Sequence, residues 1–256
     1  MSIKYFDHLP QLKTIQSEID SRFASIFQHG QFVQGPEVRE VESALATYLG
    51  VKNCISTSNG TDALLVSLMA ADIKPGDEVI TPGFSYIAAA ESIKLLGAIP
   101  IYIDVSPQTY NIDTNFIAAA INNKTKAIVA VDLFGQSADY DKIFSVIGDN
   151  KITVIEDAAQ SLGSSLHNVH AGTIGDCSVY SFNSNKVIAG INGGGVVLTD
   201  NEDIAKRVKM IRRHGKDKDF SMMGYNSRMY VLNAEIINLR LRHADRNQER
   251  RQQIAH

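Results

Sequence analysis

The sequence predicts an α/β fold in which a mostly parallel sheet lies between two layers of helices. Short apolar runs of strand character alternate with amphipathic runs of helical period through most of the chain. This order is typical of βαβ units, whose helices cover both faces of the sheet. The 256 residues are 44% hydrophobic and 21% charged, which is enough apolar material for a real core. We therefore expect ligands at the carboxyl ends of the strands, where such folds bind them.

The elements are expected in a regular order. Amphipathic helices cover 17–30 and 36–50, the second ending at Gly50. A short strand at 53–57 leads into a helix at 61–71, and a Pro75-Gly76 turn begins the next strand. Further strands are expected at 99–105, 126–133, 152–157, 177–182 and 194–199. Further helices are expected at 85–97, 113–122, 138–149 and 202–213.

Charge and cysteine content narrow the class of protein. The net charge of −3 favours neither a nucleic-acid nor a membrane partner, although residues 201–256 are rich in Lys and Arg. Cys54 and Cys177 are far apart in apolar contexts, which suits a reducing compartment rather than a disulfide framework. The first residues contain no apolar signal-peptide core, and no apolar run approaches the length of a membrane span. We expect a cytoplasmic protein.

Three strand ends carry residues suited to chemistry, and the first suits an anion. In TSNGTDALL, Thr57 to Leu65, a strand ends, Asn59-Gly60 turns, and a helix begins near Thr61. Free amides and the helix dipole attract an anion there, and Gly60 lets it approach closely. The same pattern is also typical of an ordinary turn with a capped helix.

The second strand end carries two neighbouring carboxylates. Glu156 and Asp157 close the apolar strand in VIEDAAQS and should point to opposite faces of the sheet. They therefore make a poor acid–base pair, but one of them could hold a proton on a buried heterocyclic nitrogen. The alternative is that Asp157 simply caps a helix.

The third strand end presents a lysine. Ser181 lies near the end of the strand CSVYSF, and Lys186 follows it before the glycine-rich AGINGGG. A lysine in a site of low dielectric can lose its proton and condense with an aldehyde. Taken alone, this segment is more typical of a solvated loop lysine. Together, a phosphate cradle, a ring-nitrogen acid and a lysine are the parts of a pyridoxal 5′-phosphate enzyme.

At these residues the sequence resembles the DegT/DnrJ/EryC1/StrS family of sugar aminotransferases, which have the aspartate aminotransferase fold of type I. The resemblance covers nearly the whole chain. The stretches that carry it are GQFVQGPEV, NGTDAL, PGDEVITPGFSY, GAIPIYIDV, IEDAAQS, SFNSNK, GGGVVLTD, RRHG and YNSRM. This family implies a three-layer αβα large domain with a mostly parallel mixed sheet.

The resemblance also implies roles for matching positions. Lys186 would form a Schiff base with pyridoxal 5′-phosphate and shuttle protons, and Asp157 would pair with the ring nitrogen. Gln160 would lie near the phenolic oxygen, and Tyr86 would stack on the ring. The phosphate would be bound by Gly60, Thr61 and Ser181. Asn226 would reach the cofactor of a neighbouring subunit, so that a homodimer would share its active sites.

Within the family, the sequence looks most like enzymes that aminate C3 of a UDP-linked 2-acetamido-3-keto sugar for surface polysaccharide. L-Glutamate is their usual amino donor. Amination at C4 remains open, because C3 and C4 enzymes share the cofactor residues. A dehydratase of the family would carry a histidine in place of Lys186, which argues against that activity.

The sequence departs from the family pattern in three places. Asn192 stands in the glycine run where relatives carry an acid, and Tyr230 and Asn233 replace an acid and a glutamine. These changes are expected to affect the subunit interface or the sugar site. We expect residues 1–228 to form the cofactor-binding domain and 229–256 to begin a long helix toward a small C-terminal domain that is missing. A truncated, catalytically inert paralogue that acts as a binding protein is therefore the alternative from a different class.

Other motifs favour no second ligand. HNVH, His167 to His170, lacks partners at metal-ligand spacing and reads as a hairpin turn. RRHGKDK lacks the aromatic residues of a nucleic-acid site, and GINGGG lacks the strand that precedes a dinucleotide motif. His214 is compatible with both the site entrance and the surface.

Overall fold

The computed structural model describes residues 7–217 and 219–255. The helices are α1 Leu9–Thr14, α2 Gln16–His29, α3 Pro36–Leu49, α4 Gly60–Ala70, α5 Ala88–Leu95, α6 Ile117–Ala120, α7 Tyr140–Ile147, α8 Glu202–Ile211, α9 Val231–Leu241 and α10 Ala244–Ala255. The strands are β1 Asn53–Thr57, β2 Glu78–Pro82, β3 Ile99–Ile103, β4 Thr125–Val131, β5 Thr153–Asp157, β6 Ser165–Leu166, β7 Val169–His170, β8 Cys177–Ser181 and β9 Gly195–Thr199.

Seven strands form one mixed sheet in the order β1-β9-β8-β5-β4-β2-β3. The pairs from β3 across β2, β4 and β5 to β8 are parallel, whereas β9 is antiparallel to both β8 and β1. The predicted mostly parallel mixed sheet is therefore confirmed. Because β4, β5 and β8 run in the same direction, Val131, Asp157 and Ser181 end at the same edge of the sheet.

Helices cover both faces of this sheet, as the βαβ order predicts. On one face, α4, α5 and α8 pack on alternate strand residues such as Ile55, Val129 and Val197. On the other face, α3 and α9 cover the β1-β9-β8 half and contact Val196 and Leu198. The remaining half of that face is covered by α6 and α7. The alternation of apolar residues toward the two faces makes this a three-layer αβα arrangement.

Three elements differ from the pattern predicted by the sequence. The helix expected at 85–97 begins only at Ala88, and the one expected at 113–122 is a 3-10 turn followed by the short α6. Asp113 starts that turn by accepting a hydrogen bond from the amide of Asn115 at 3.0 Å. The C-terminal helix is divided, because the amide of His243 bonds the carbonyl of Arg240 at 3.1 Å, three residues back.

The HNVH stretch forms a hairpin, as expected. It joins β6 to β7, and the turn residues His167 and Asn168 both have positive φ, at 50° and 64°. Residues 7–217 and 219–255 contain no group of three or more His, Cys, Asp or Glu that could hold a metal ion. Across the same described ranges, no helix is both long and apolar enough to cross a membrane.

Candidate active site

A cavity of about 520 Å³ opens at the sheet edge where β5 and β8 end. Its wall comes from the start of α4, the segment before α5, the turn after β5, and the loop between β8 and β9. The residues that line it are Asn59, Gly60, Thr61, Leu64, Ser85, Tyr86, Ala88, Val131, Asp157, Ala159, Gln160, Ser181, Asn183, Ser184, Asn185, Lys186, Ile191, Asn192, Gly193 and Gly194. Seven of the eight residues that the sequence nominated therefore meet in one place.

The first turn of α4 forms one wall of the cavity. Asn59 caps the helix by accepting a hydrogen bond from the amide of Asp62 at 2.8 Å. The amides of Gly60 and Thr61 lie in the first turn and have no acceptor within the helix. A Cβ atom at Gly60 would lie 2.7 Å from the Cβ of Ser181, so only glycine fits this approach of helix to strand. The result is a cluster of donors at the positive end of a helix dipole.

Asp157 is the acid of the site. Its side chain is 8% exposed, and its Oδ1 accepts a hydrogen bond from the amide of Ala159 at 3.1 Å. Burial raises the pKa of Asp157 to about 6, against the opposing effects of the Ala159 amide and the charge of Lys186. Because no helix follows in the described chain 158–164, the carboxylate closes a local turn and faces the cavity instead of capping a helix.

Glu156 points to the other face of the sheet, as the strand alternation predicts. Its carboxylate is fully buried and accepts hydrogen bonds from the amides of Gly172, Ile174 and Gly175 and from the hydroxyl of Ser178. It therefore anchors the loop between β7 and β8, which leaves Asp157 as the carboxylate of the cavity.

Lys186 follows β8 in the loop that closes the cavity. Its backbone amide bonds the carbonyl of Asn183 at 2.9 Å, and its side chain is half-buried. Burial lowers the pKa of the Lys186 amine, and the negative charge of Asp157 offsets only part of that effect. The amine therefore loses its proton at lower pH than a solvated lysine does. This is the condition for nucleophilic attack on a carbonyl carbon.

Gln160 lines the cavity from the turn after β5, near Asp157. Tyr86 lines it from the segment before α5. The Oε1 of Gln160 accepts a hydrogen bond from the amide of Phe134 at 2.9 Å. That contact fixes which end of the side-chain amide faces the cavity, because the Nε2 donor is then left for a ligand. Tyr86 is 71% exposed, so its ring stands at the cavity mouth.

Asn226 is the one nominated residue outside the cavity. Its side chain is exposed, and its Oδ1 accepts a hydrogen bond from the Nε of Arg228 at 2.7 Å. His214, which the sequence left open, also lies outside the cavity lining. Cys54 and Cys177 are free and buried in separate core clusters, so they form no disulfide.

Sequence reasoning linked Asn233 to the subunit interface or the sugar site and did not predict that it holds the glycine run in place. Asn233 on α9 accepts hydrogen bonds from the amides of Ile191 and Asn192, at 2.7 and 3.2 Å, and donates to the carbonyl of Gly193 at 2.8 Å. A polar residue among the buried positions of α9 was the available signal. Its partners could not be read from the sequence, because they lie about forty residues earlier in the chain.

Comparison with known proteins identifies the family of this chain. A model of the DegT/DnrJ/EryC1/StrS aminotransferase family matches residues 13–256. The chain belongs to this family. A relative from Pseudomonas aeruginosa, UDP-2-acetamido-2-deoxy-3-oxo-D-glucuronate aminotransferase, is 43% identical over 92% of this chain and 66% of its own length. The chain thus spans about two thirds of the length of that relative.

Solved structures of family members have the same fold. A DegT/DnrJ/EryC1/StrS aminotransferase from Brucella abortus superposes with a TM-score of 0.95 at 33% identity, covering 99% of this chain and 71% of its own. NtdA from Bacillus subtilis, solved with bound cofactor PMP, superposes with a TM-score of 0.85 at 34% identity. That match covers 95% of this chain and 57% of NtdA.

Proposed function

We propose that this protein is a pyridoxal 5′-phosphate-dependent aminotransferase that moves an amino group from L-glutamate to a nucleotide-linked keto sugar. The observation that carries the proposal is that Lys186 and Asp157 line one cavity, beside the start of α4. An amine of lowered pKa, a buried carboxylate and an anion site are the three groups that this cofactor needs from a protein. When bound, the cofactor supplies an electron sink for the carbon that loses or gains the amine.

The phosphate end of the cofactor fits the start of α4. The backbone amides of Gly60 and Thr61 can donate hydrogen bonds to phosphate oxygens. The hydroxyls of Thr61 and Ser181 can rotate to donate to the same anion. The helix dipole favours the negative charge there. Because Gly60 has no Cβ atom, Ser181 can lie close to the start of α4 and within reach of the same anion.

The ring end fits Asp157 and Gln160. With a pKa of about 6, Asp157 is ionised at neutral pH and can hold a proton on the ring nitrogen by charge pairing. The free Nε2 of Gln160 can donate to the phenolic oxygen, since its Oε1 is occupied by the Phe134 amide. The exposed ring of Tyr86 can cover the cofactor from the cavity mouth.

Lys186 would take the proton from, or return it to, the substrate carbon that loses or gains the amine. Its lowered pKa suits a general base, because the amine gives up its proton more readily than a solvated lysine does. Its half-buried position also keeps the ammonium form from being stabilised by full solvation.

For the acceptor we propose a UDP-linked 2-acetamido-3-keto sugar, aminated at C3. The support is the 43% identity to an aminotransferase whose name specifies a UDP-2-acetamido-3-oxo sugar acid, and the 34% identity to one named for UDP-N-acetyl-3-dehydro-α-D-glucosamine. We place the enzyme in the synthesis of amino sugars for surface polysaccharide, in the cytoplasm. Two free, buried cysteines suit that compartment.

We further propose a homodimer in which Asn226 contacts the cofactor of the other subunit. The exposed position of Asn226 outside its own cavity supports this. So do exposed apolar side chains near the site, among them Tyr86 and Ile191, at 71% and 62% exposure. Large exposed apolar groups commonly mark an interface.

The decisive experiment replaces the proposed amine. Lys186→Ala should lower the turnover of keto sugar by about a thousandfold, because the residue moves the proton in both half-reactions. After borohydride reduction, mass spectrometry should find the reduced cofactor attached to the wild-type peptide that contains Lys186, and no attachment in the variant.

Lys142→Ala is the matched control, because Lys142 is an exposed lysine whose ammonium group donates to the side-chain oxygen of Asn115 at 2.9 Å. It should retain wild-type turnover and cofactor attachment. Normal turnover by Lys186→Ala would refute the mechanism. Absence of any bound cofactor in the wild type would instead favour an inert binding protein.

A further inference from the structure

In the loop between β8 and β9, the backbone of Phe182 holds both ends of residues 190–194. The amide of Gly190 bonds the carbonyl of Phe182 at 2.8 Å, and the amide of Phe182 bonds the carbonyl of Gly194 at 2.9 Å. Residues 190–194 therefore form a short loop whose first and last residues both bond to the backbone of Phe182. Within residues 190–194, Ile191, Asn192 and the two following glycines line the cofactor cavity.

The backbone of residues 190–194 cannot form regular secondary structure. Gly193 and Gly194 have φ values of 78° and 106°, which side-chain-bearing residues rarely adopt. The inner amides and carbonyl consequently need partners from elsewhere, because unpaired backbone groups near the interior are costly. Those partners are the side-chain oxygen and nitrogen of Asn233.

We propose that Asn233 is a positioning residue whose buried side-chain amide holds residues 190–194 against the cofactor cavity and so sets the shape of that cavity. Asn233 is 4% exposed and uses its oxygen for two loop amides and its nitrogen for one loop carbonyl. A Cβ atom at Gly190 would lie 2.2 Å from the Oδ1 of Asn233, and one at Gly194 would lie 2.9 Å from its Nδ2. The glycines on both sides are thus required for the loop to reach this side chain.

A second contact from the same helix supports the proposal. Arg240 lies seven residues after Asn233, on the same side of α9, and its guanidinium donates to the carbonyl of Ala189 at 2.5 Å. Arg240 is 4% exposed. One helix therefore holds both the entry to the loop and its tip, which makes α9 the support of this wall of the cavity.

The consequence for cofactor binding rests on the proposed function. If the loop is released, Ile191, Asn192 and Gly193 no longer define their part of the cavity wall. We therefore expect Asn233→Ala to weaken pyridoxal phosphate binding by roughly tenfold, the effect of losing one to two hydrogen bonds.

The test uses hydrogen–deuterium exchange on the cofactor-free protein and a separate cofactor titration. Asn233→Ala should speed exchange in the peptide 187–195 by roughly tenfold, because two amides lose their acceptor. Asn233→Asp keeps the acceptor for these two amides and loses the donor to the Gly193 carbonyl, so their exchange should stay slower than in Asn233→Ala.

Asn238→Ala is the matched control. Asn238 lies on the same helix at 6% exposure, but its Nδ2 donates to the carbonyl of Glu37 at 3.3 Å, on α3. This variant should change neither loop exchange nor cofactor affinity. Unchanged exchange in Asn233→Ala, equally fast exchange in Asn233→Asp, or an equal effect of Asn238→Ala would each overturn the proposal. If the wild type binds no cofactor, the proposed function fails, while the exchange measurement still decides the role of Asn233.

Discussion

Asp157 shows at the scale of one residue how a binding site works against stability. Burial raises its pKa to about 6 from the ordinary 3.8, so the folded state prefers the protonated carboxyl. A raised carboxyl pKa contributes stability below about pH 4, and that contribution is lost as the pH rises through 6. At neutral pH the cofactor-free protein therefore holds an unfavourable buried charge.

Asp157→Asn should consequently stabilise the cofactor-free protein at pH 8 by about 2–3 kcal/mol, since each pKa unit corresponds to about 1.4 kcal/mol. The gain should shrink toward pH 5 and vanish below pH 4. Urea unfolding at several pH values measures it. The same variant should lose cofactor affinity, because a neutral amide cannot pair with a protonated ring nitrogen.

Asp149→Asn provides the comparison, because Asp149 is exposed. We expect that change to alter stability by less than about 0.5 kcal/mol at any of these pH values. A destabilised Asp157→Asn at pH 8 would show that the negative charge of Asp157 is favourable in the folded protein, contrary to the raised pKa.

At the scale of elements, the contact between α4 and β8 depends on Gly60. A Cβ atom there would lie 2.7 Å from the Cβ of Ser181 and 2.9 Å from its Oγ. Gly60→Ala should therefore push the helix start away from the strand, costing about 1–3 kcal/mol. It should also weaken cofactor binding. Thermal melts and a cofactor titration measure the two effects.

Two further variants separate packing from binding. Gly83→Ala is the control, since its added Cβ would find its nearest neighbour at 3.6 Å, an ordinary contact. The double variant Gly60→Ala, Ser181→Gly removes the clash and should recover stability but not cofactor affinity, because the hydroxyl is gone. Full stability of the single Gly60→Ala variant would show that α4 can shift at no cost.

The elements also show what the sequence could predict. The strand ends at Thr57 and Asp157 followed from local patterns, because apolar runs and turn residues lie next to each other in the chain. The strand that ends at Ser181 was predicted to end one residue later. The loop at 190–194 did not follow from local patterns, since its shape depends on a side chain of α9 and on two glycines with positive φ. Local patterns predict elements well, whereas the contacts that shape a site depend on residues far apart in sequence.

At the scale of the whole molecule, an ion pair joins three helices outside the sheet. Arg22 on α2 donates from Nε and Nη2 to the carboxylate of Glu235 on α9, at 2.8 and 3.0 Å. The Nη2 atom also contacts Glu40 on α3 at 2.7 Å. Since α2 packs chiefly on α9, and α9 packs on α3, this pair fixes the outer helix to the body of the domain.

The position of Glu235 decides what this pair contributes. Its side chain is fully buried, whereas that of Arg22 is 36% exposed. Removing the arginine alone leaves a buried carboxylate without compensation, so Arg22→Met should cost about 2–4 kcal/mol in urea unfolding. Replacing both partners, as in Arg22→Met with Glu235→Met, should recover most of that loss, because two apolar side chains need no ionic partner.

The exposed pair of Lys74 and Asp72 makes the comparison sharp. Its length, 2.8 Å, equals that of the Arg22 Nε–Glu235 contact, but its side chains are 66% and 60% exposed. Lys74→Met should therefore cost far less stability than Arg22→Met, as for ion pairs in water. Equal costs for Arg22→Met and Lys74→Met would mean that water reaches Glu235 once Arg22 is removed. In that case the attachment of α2 depends on the apolar contacts of Ile15 and Ile19 with α9, and the ion pair contributes only its geometry.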